Sequence, residues 1–171
     1  VKCFADYDDA MSHLSRTSGL TGKDLEAMKA SIANMSNELG LSEADVAGIA
    51  ASVAAYGISG VDDLSEVTKA AAQMQVAFEG VSAEDAAASL AKFGSITGLS
   101  MKDASKLGSC LGALENNSKA MAGQIMEVNN RIGGMGAAVG MTAADISAWS
   151  TTMISGGMSA ELAGSNFSKF Q

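Results

Sequence analysis

The sequence predicts an all-α fold, and three observations carry that expectation. Apolar residues step by three and four along most of the chain, proline is absent, and one short mark recurs six times. The mark reads Gly, an apolar residue, Ser or Thr, then an acidic residue two or three places on. Steps of three and four place side chains on one face of a helix, whereas a half-buried strand alternates every second residue. Without proline, glycine is left to end the elements.

The copies are Gly19-Leu20-Thr21 with Asp24, Gly40-Leu41-Ser42 with Asp45, and Gly80-Val81-Ser82 with Asp85. The others are Gly98-Leu99-Ser100 with Asp103, Gly140-Met141-Thr142 with Asp145, and Gly157-Met158-Ser159 with Glu161. Gly takes the left-handed conformation past a helix end, where other residues meet a steric penalty. Ser or Thr then caps the next helix. The acid three places into that helix is expected to bond back to the cap and to suit the positive end of the helix dipole. The apolar residue before the cap can staple to the fourth helical position, pairing Leu20 with Leu25, Leu41 with Val46 and Met141 with Ile146.

Between marks the stripes follow in order. The first is Phe4, Tyr7, Met11, Leu14, and the second Leu25, Met28, Ile32, Met35, Leu39. The third is Val46, Ile49, Val53, Tyr56. After a looser mark at Gly60-Val61-Asp62, the fourth is Leu64, Val67, Ala71, Met74, Phe78. Residues 86–96 fit less strictly, and Ala104, Leu107, Leu111, Leu114 form the sixth stripe. Asn116-Asn117-Ser118 is expected to start a helix without a Gly, leading to Met121, Ile125, Val128, Ile132, Met135. Ile146, Trp149, Met153 make the eighth stripe, and 162–170 a looser last one. The expectation is therefore about nine short helices joined by tight Gly/Ser-Thr corners, packed as one irregular globular bundle over residues 1–171. Marks about every twenty residues leave a helical solenoid as the alternative, although the apolar positions between them do not repeat closely.

Composition excludes several classes. The net charge is −8 and the 11 basic residues are scattered, so direct nucleic-acid binding is not expected. Aromatics are 5%, so the core is built from Ala, Met, Leu, Ile and Val. Cys3 and Cys110 lie far apart with no CxxC, which gives neither a disulfide framework nor a zinc site, and Cys110 reads as a small core residue. The most apolar stretches, 46–61 and 146–160, are shorter than the ~20 residues a membrane span needs. The chain opens on Val without a secretory signal and reads as a fragment of something longer.

Little chemistry is visible, and no catalytic, cofactor or metal residue is expected. His13, the only histidine, sits among serines and reads as an exposed helix residue. Without it no Ser-His-Asp set can be built. Asp8-Asp9 and Asp62-Asp63 read as helix starts rather than acid/base pairs. The run Ile132-Gly133-Gly134-Met135-Gly136 through Gly140 lacks the strand and spacing of a phosphate loop. It is either a helix end that unwinds or a place where helices approach closely. The 11 methionines suit a core or an adaptable groove, and Trp149 reads as core.

From Val76 onward the order of features is more specific than any one of them. Phe93-Gly94-Ser95-Ile96-Thr97-Gly98-Leu99-Ser100 precedes Ala104-Ser105-Lys106-Leu107-Gly108-Ser109 and Leu114-Glu115-Asn116-Asn117-Ser118. Arg131-Ile132-Gly133-Gly134, Gly140-Met141-Thr142-Ala143-Ala144-Asp145-Ile146 and Gly157-Met158-Ser159-Ala160-Glu161-Leu162 follow. This order resembles the core region of tail tape measure proteins of long-tailed phages, most closely over 76–171. The stretch from Phe4 to Leu25 resembles the upstream part more loosely. One local departure is Trp149-Ser150, where the family pattern has a smaller pair.

The resemblance implies a structural, non-catalytic domain of a phage or prophage tail protein. Such proteins act in tail assembly, length determination and delivery of DNA through the tail. It implies tail tube protein and tail assembly chaperones as partners, with self-association a further option. The location implied is the virion tail, and the host cytoplasm during assembly. The alternative is a helical protein–protein interaction module with a Met-rich groove. Because Gly breaks the chain so often, this region is expected to be a compact module attached to a ruler rather than the ruled length.

Overall fold

The computed structural model describes residues 2–170, with side chains described for 5–169. Cys3, Phe4 and Phe170 thus lie outside the described side chains. Among the described residues there are nine α-helices and no strand. They are α1 (Lys2–Ser18), α2 (Gly22–Leu39), α3 (Glu43–Ala55), α4 (Val61–Ala77) and α5 (Ala83–Thr97). A single 3-10 turn, Met101–Asp103, leads to α6 (Ala104–Asn116), followed by α7 (Ala122–Ala138), α8 (Ala143–Ser155) and α9 (Ala160–Phe170).

The fold is all-α and globular, around one apolar core. Within it the helices are laid down in chain order. The substantial contacts join helices one or two places apart, with α5 on α8 the longer step. α1 rests chiefly on α3, α4 gathers α2, α3, α5 and α6, and α7 gathers α5, α8 and α9. Nearest-neighbour order is what a solenoid has, so the bundle keeps a solenoid's local contacts without its sequence repeat.

The stripes account for the core. Met28, Ile32 and Met35 of α2, Val46, Ile49 and Val53 of α3, and Leu64, Val67, Ala71 and Met74 of α4 are all buried. Ile125, Val128 and Ile132 do the same for α7. Several predicted stripe members are not buried. Tyr56 caps α3 and Met121 precedes α7, so both stand past a helix end and are exposed. Cys110 is half-buried rather than core.

All six mark glycines have positive φ. Past Gly98, Gly140 and Gly157 the following apolar residue also donates its N–H back into the finished helix: Leu99 to Gly94, Met141 to Gly136, Met158 to Met153. The caps are less uniform. Ser42, Ser82 and Thr142 accept from the N–H of Asp45, Asp85 and Asp145, and Ser159 accepts from Leu162 N–H at 3.3 Å. Thr21 makes no side-chain cap bond, because Gly22 with φ +55° intervenes. Ser100 makes none either, because the 3-10 turn separates it from α6.

The acid bonds back to the cap N–H only at Thr142, at 3.0 Å. At Ser42 and Ser82 the carboxylate instead accepts from the serine hydroxyl at 2.6 Å. Asn116-Asn117-Ser118 ends α6 rather than starting a helix. The next start is made at Ala122, whose N–H reaches the Glu115 carboxylate at 3.1 Å.

Candidate interaction groove

His13 is exposed on α1. Asp8-Asp9 lie in the middle of α1, not at its start, while Asp62-Asp63 occupy the first turn of α4. Among the described residues, no three His, Cys, Asp or Glu side chains gather in a metal-binding cluster. The Asp145 carboxyl is held below its usual range by the Thr142 hydroxyl and N–H. These bonds cap α8.

The glycine run turns out to be a packing surface. α7 continues unbroken through it to Ala138. A Cβ on Gly133 would come 3.2 Å from Phe93 of α5, and one on Gly136 would come 2.8 Å from Ile146 of α8. Two helices thus seat a side chain directly on the α7 backbone. Close approach brings Asn129 of α7 against the inward face of α8. Its amide donates to the Ser147 hydroxyl at 2.9 Å and accepts from the Ser150 hydroxyl at 2.6 Å. All three residues are buried. The two hydroxyls also bond α8 carbonyls at Ala143 and Ile146, so the group is polar but satisfied.

With Ile146 and two serines facing inward, α8 turns Trp149 out. Trp149 is 49% exposed and meets Phe167 of α9 edge to face, with ring centroids 6.4 Å apart. The two rings form part of a groove of about 490 Å³ with Met141, Met153 and Met158. Val139, 61% exposed, closes it from the end of α7, and the Asn166 amide leans on the Met158 sulfur at 3.8 Å. Leu162, 50% exposed, stands one helical turn before Asn166.

Here Met141 and Met158 sit half-buried at the edge of the core, with Met153 beneath them, beside an aromatic pair. The stripe pattern missed it because it placed Trp149 inward. Trp149-Ser150, where the sequence departs from the family pattern, supplies one groove wall and one buried hydroxyl.

The groove is lined mainly by apolar side chains, with the Asn166 amide as its polar group, a lining suited to holding an apolar surface. No match to a curated protein or to a solved structure was found. A family model described as phage-related minor tail protein matches residues 29–171, which takes in α3 to α9 and the groove. With that match over most of its length, the chain belongs to the family of phage-related minor tail proteins.

Proposed function

We propose that this chain is a structural, non-catalytic domain of a tail tape measure protein. It acts in tail assembly and length determination and in delivery of DNA through the tail. Residues 1–171 form one module of a longer chain. Its partners are the tail tube protein and the tail assembly chaperones. Its location is the host cytoplasm during assembly and then the virion tail.

The observation that carries this reading is the ordered series of Gly–apolar–Ser/Thr marks from Val76 on, within a chain of the minor tail family. The globular fold supports the role of attached module. The longest helix, α2, has 18 residues and spans about 27 Å at ~1.5 Å per residue, far short of a ruler.

The test is a duplication of residues 1–171 in the parent gene, with tail length read by electron microscopy. The duplicate lengthens the tail by far less than the ~1.5 Å per residue of a helical ruler. Deleting heptad stretches elsewhere in the parent shortens it by that increment. Growth by the full increment overturns the module reading, and a tail length indifferent to every change in the parent overturns the tape measure role.

A globule of 171 residues has a radius of gyration of about 15–16 Å and a diameter of roughly 40 Å. Passage along a narrow tube then requires partial unfolding. The Ala-rich core eases this, because it buries less apolar area per residue than an aromatic one. A Tm above ~90 °C for the isolated domain would sink that part. A second reading, a helical interaction module, is favoured by the groove beside Trp149.

A further inference from the structure

We infer that a small cavity between α4, α5, α6 and α7 is a binding site for a single water molecule, held by the Asn129 and Asn130 amides and the Ser89 hydroxyl. The site belongs to the packing of the fold and stands apart from any role in the tail.

Asn130 of α7 has an acceptor with nothing to accept from. Its amide donates to the Ser89 hydroxyl of α5 at 2.9 Å. Its Oδ1 is buried and has no hydrogen-bond partner in the chain. Buried acceptors are rarely left unpaired in folded proteins. Turning the amide over does not help. Oδ1 would then accept from Ser89, and the Nδ2 group would become the unpaired end. Either way one end of this amide needs a small partner that both donates and accepts.

Room of the right size adjoins it. Ser89, Asn129 and Asn130 border a cavity of about 10 Å³ whose other walls are Met, Leu and Phe side chains. That is about the space of one water, which needs roughly two to four polar partners. An Asn amide offers two N–H donors and two lone pairs. Asn129 uses one of each on Ser147 and Ser150, which leaves it one of each. The Ser89 hydroxyl accepts from Asn130 and has its own proton to give. None of the lining residues is charged, so an ion would be buried there unpaired.

The cavity has a local origin and a way in. Phe93 of α5 rests on the backbone of α7 at Gly133. One turn back on each helix the short side chains of Ser89 and Asn130 meet instead, and they leave space beside them. Ser89, Asn130 and Met126 also border a surface cleft of about 490 Å³ between α5 and α7. Met126 is unbranched and adaptable, so its rotation passes a water from cleft to cavity. Seated there, the water joins the Ser89–Asn130 pair to the Asn129–Ser147–Ser150 group. One polar chain then runs from α5 through α7 to α8.

High-resolution crystallography and water-to-protein NOE measurements on the 171-residue chain test this. The expected results are a density peak within about 3.2 Å of the Asn130 amide and of Asn129 or Ser89, and a cross-peak from water to the Asn130 side-chain amide protons. Ser89→Ala removes the hydroxyl that would relay such a cross-peak by proton exchange, and the cross-peak persists. Asn130→Leu, similar in volume, keeps the helical circular dichroism and loses the density peak. Should that variant not fold, the wild type and Ser89→Ala decide. A cavity without density overturns the inference. So does a cross-peak that vanishes in Ser89→Ala, or a density peak indifferent to Asn130→Leu.

Discussion

The two ends of this helix stack are built on different terms. The α1–α5 end carries the net charge, buries runs of Leu, Met, Val and Ala, and among the described residues has Thr68 as its one buried polar residue. The α6–α9 end is neutral and buries Asn129, Ser147, Ser150 and Thr151. It also packs through glycine: Met74 and Phe78 lie over Gly108 and Gly112, Phe93 over Gly133, and Ile146 over Gly136. Thin, close helices bring backbone to backbone but bury less apolar area. Since apolar burial is the main stabilising term, the second end should open first. Local contacts allow this, because a helix that touches only near neighbours can leave without dismantling the rest.

The largest effects come from cutting one buried isoleucine at each end. Ile32 and Ile146 are both fully buried, and either change to Ala costs about 2–5 kcal/mol by transfer and cavity terms. The two should differ in reach. Hydrogen exchange on Ile32→Ala loses protection across the whole chain. Ile146→Ala loses it in α8 and α9 while α1–α4 keep wild-type rates. Uniform loss in both variants breaks the contrast.

Two glycine-to-alanine changes of opposite sign sharpen it. Gly48 lies inside α3 with no other atom within 4 Å of a Cβ, so Gly48→Ala stabilises by about 0.5–1 kcal/mol through helix propensity. Gly136→Ala gains the same propensity but drives its Cβ to 2.8 Å from Ile146, and a net loss of about 1–3 kcal/mol is expected. Chemical denaturation reads both. In the double variant Gly136→Ala/Ile146→Ala the clash is gone, so the combined loss falls short of the sum. Additive losses would mean that the glycine is not there to seat Ile146.

Much of this was legible from residues alone, and the failures have one cause. The six glycines, the buried stripes of α2 and α4 and the all-helical class follow from local rules: chirality, periodicity and the lack of proline. Which way a helix faces does not. Trp149 has the spacing of a core residue. It faces out because Gly136 lets α8 seat Ile146 directly on α7, which puts Ile146, Ser147 and Ser150 inward and turns Trp149 away. The Asn129 group was invisible for the same reason, since its partners lie 18 and 21 residues away. One local signal was available and unread. Ser15 and Ser36, four places before the mark glycine, donate to the carbonyls of Leu20 and Leu41 and fasten those corners from the preceding helix.

Caps offer a smaller test. Thr142→Ala removes a hydroxyl that accepts from Asp145 N–H and should cost about 1 kcal/mol. Thr21→Ala removes one that makes no cap bond and should fall within the ~0.5 kcal/mol typical of surface changes. Thermal midpoints of the two variants decide it. Equal losses would mean that the mark acts through composition and not through the bonds described.

The smallest effect is electrostatic and belongs to the same corner. The Thr142 hydroxyl and its N–H both reach the Asp145 carboxylate, and together they hold its pKa below the ordinary 3.8. A folded-state pKa lower than the unfolded one adds stability that is fully present above the unfolded value. That stability is lost as pH falls through the folded one. Asp145→Ala should therefore be less stable than wild type at neutral pH, and the gap should close as acid protonates the carboxyl. Denaturant midpoints measured at neutral pH and again below the ordinary carboxylate range give the comparison. A gap that persists unchanged into acid would show that the charge adds nothing beyond the threonine hydroxyl. This corner, the one mark whose acid bonds back to the cap N–H, would then be no different from Ser42 and Ser82.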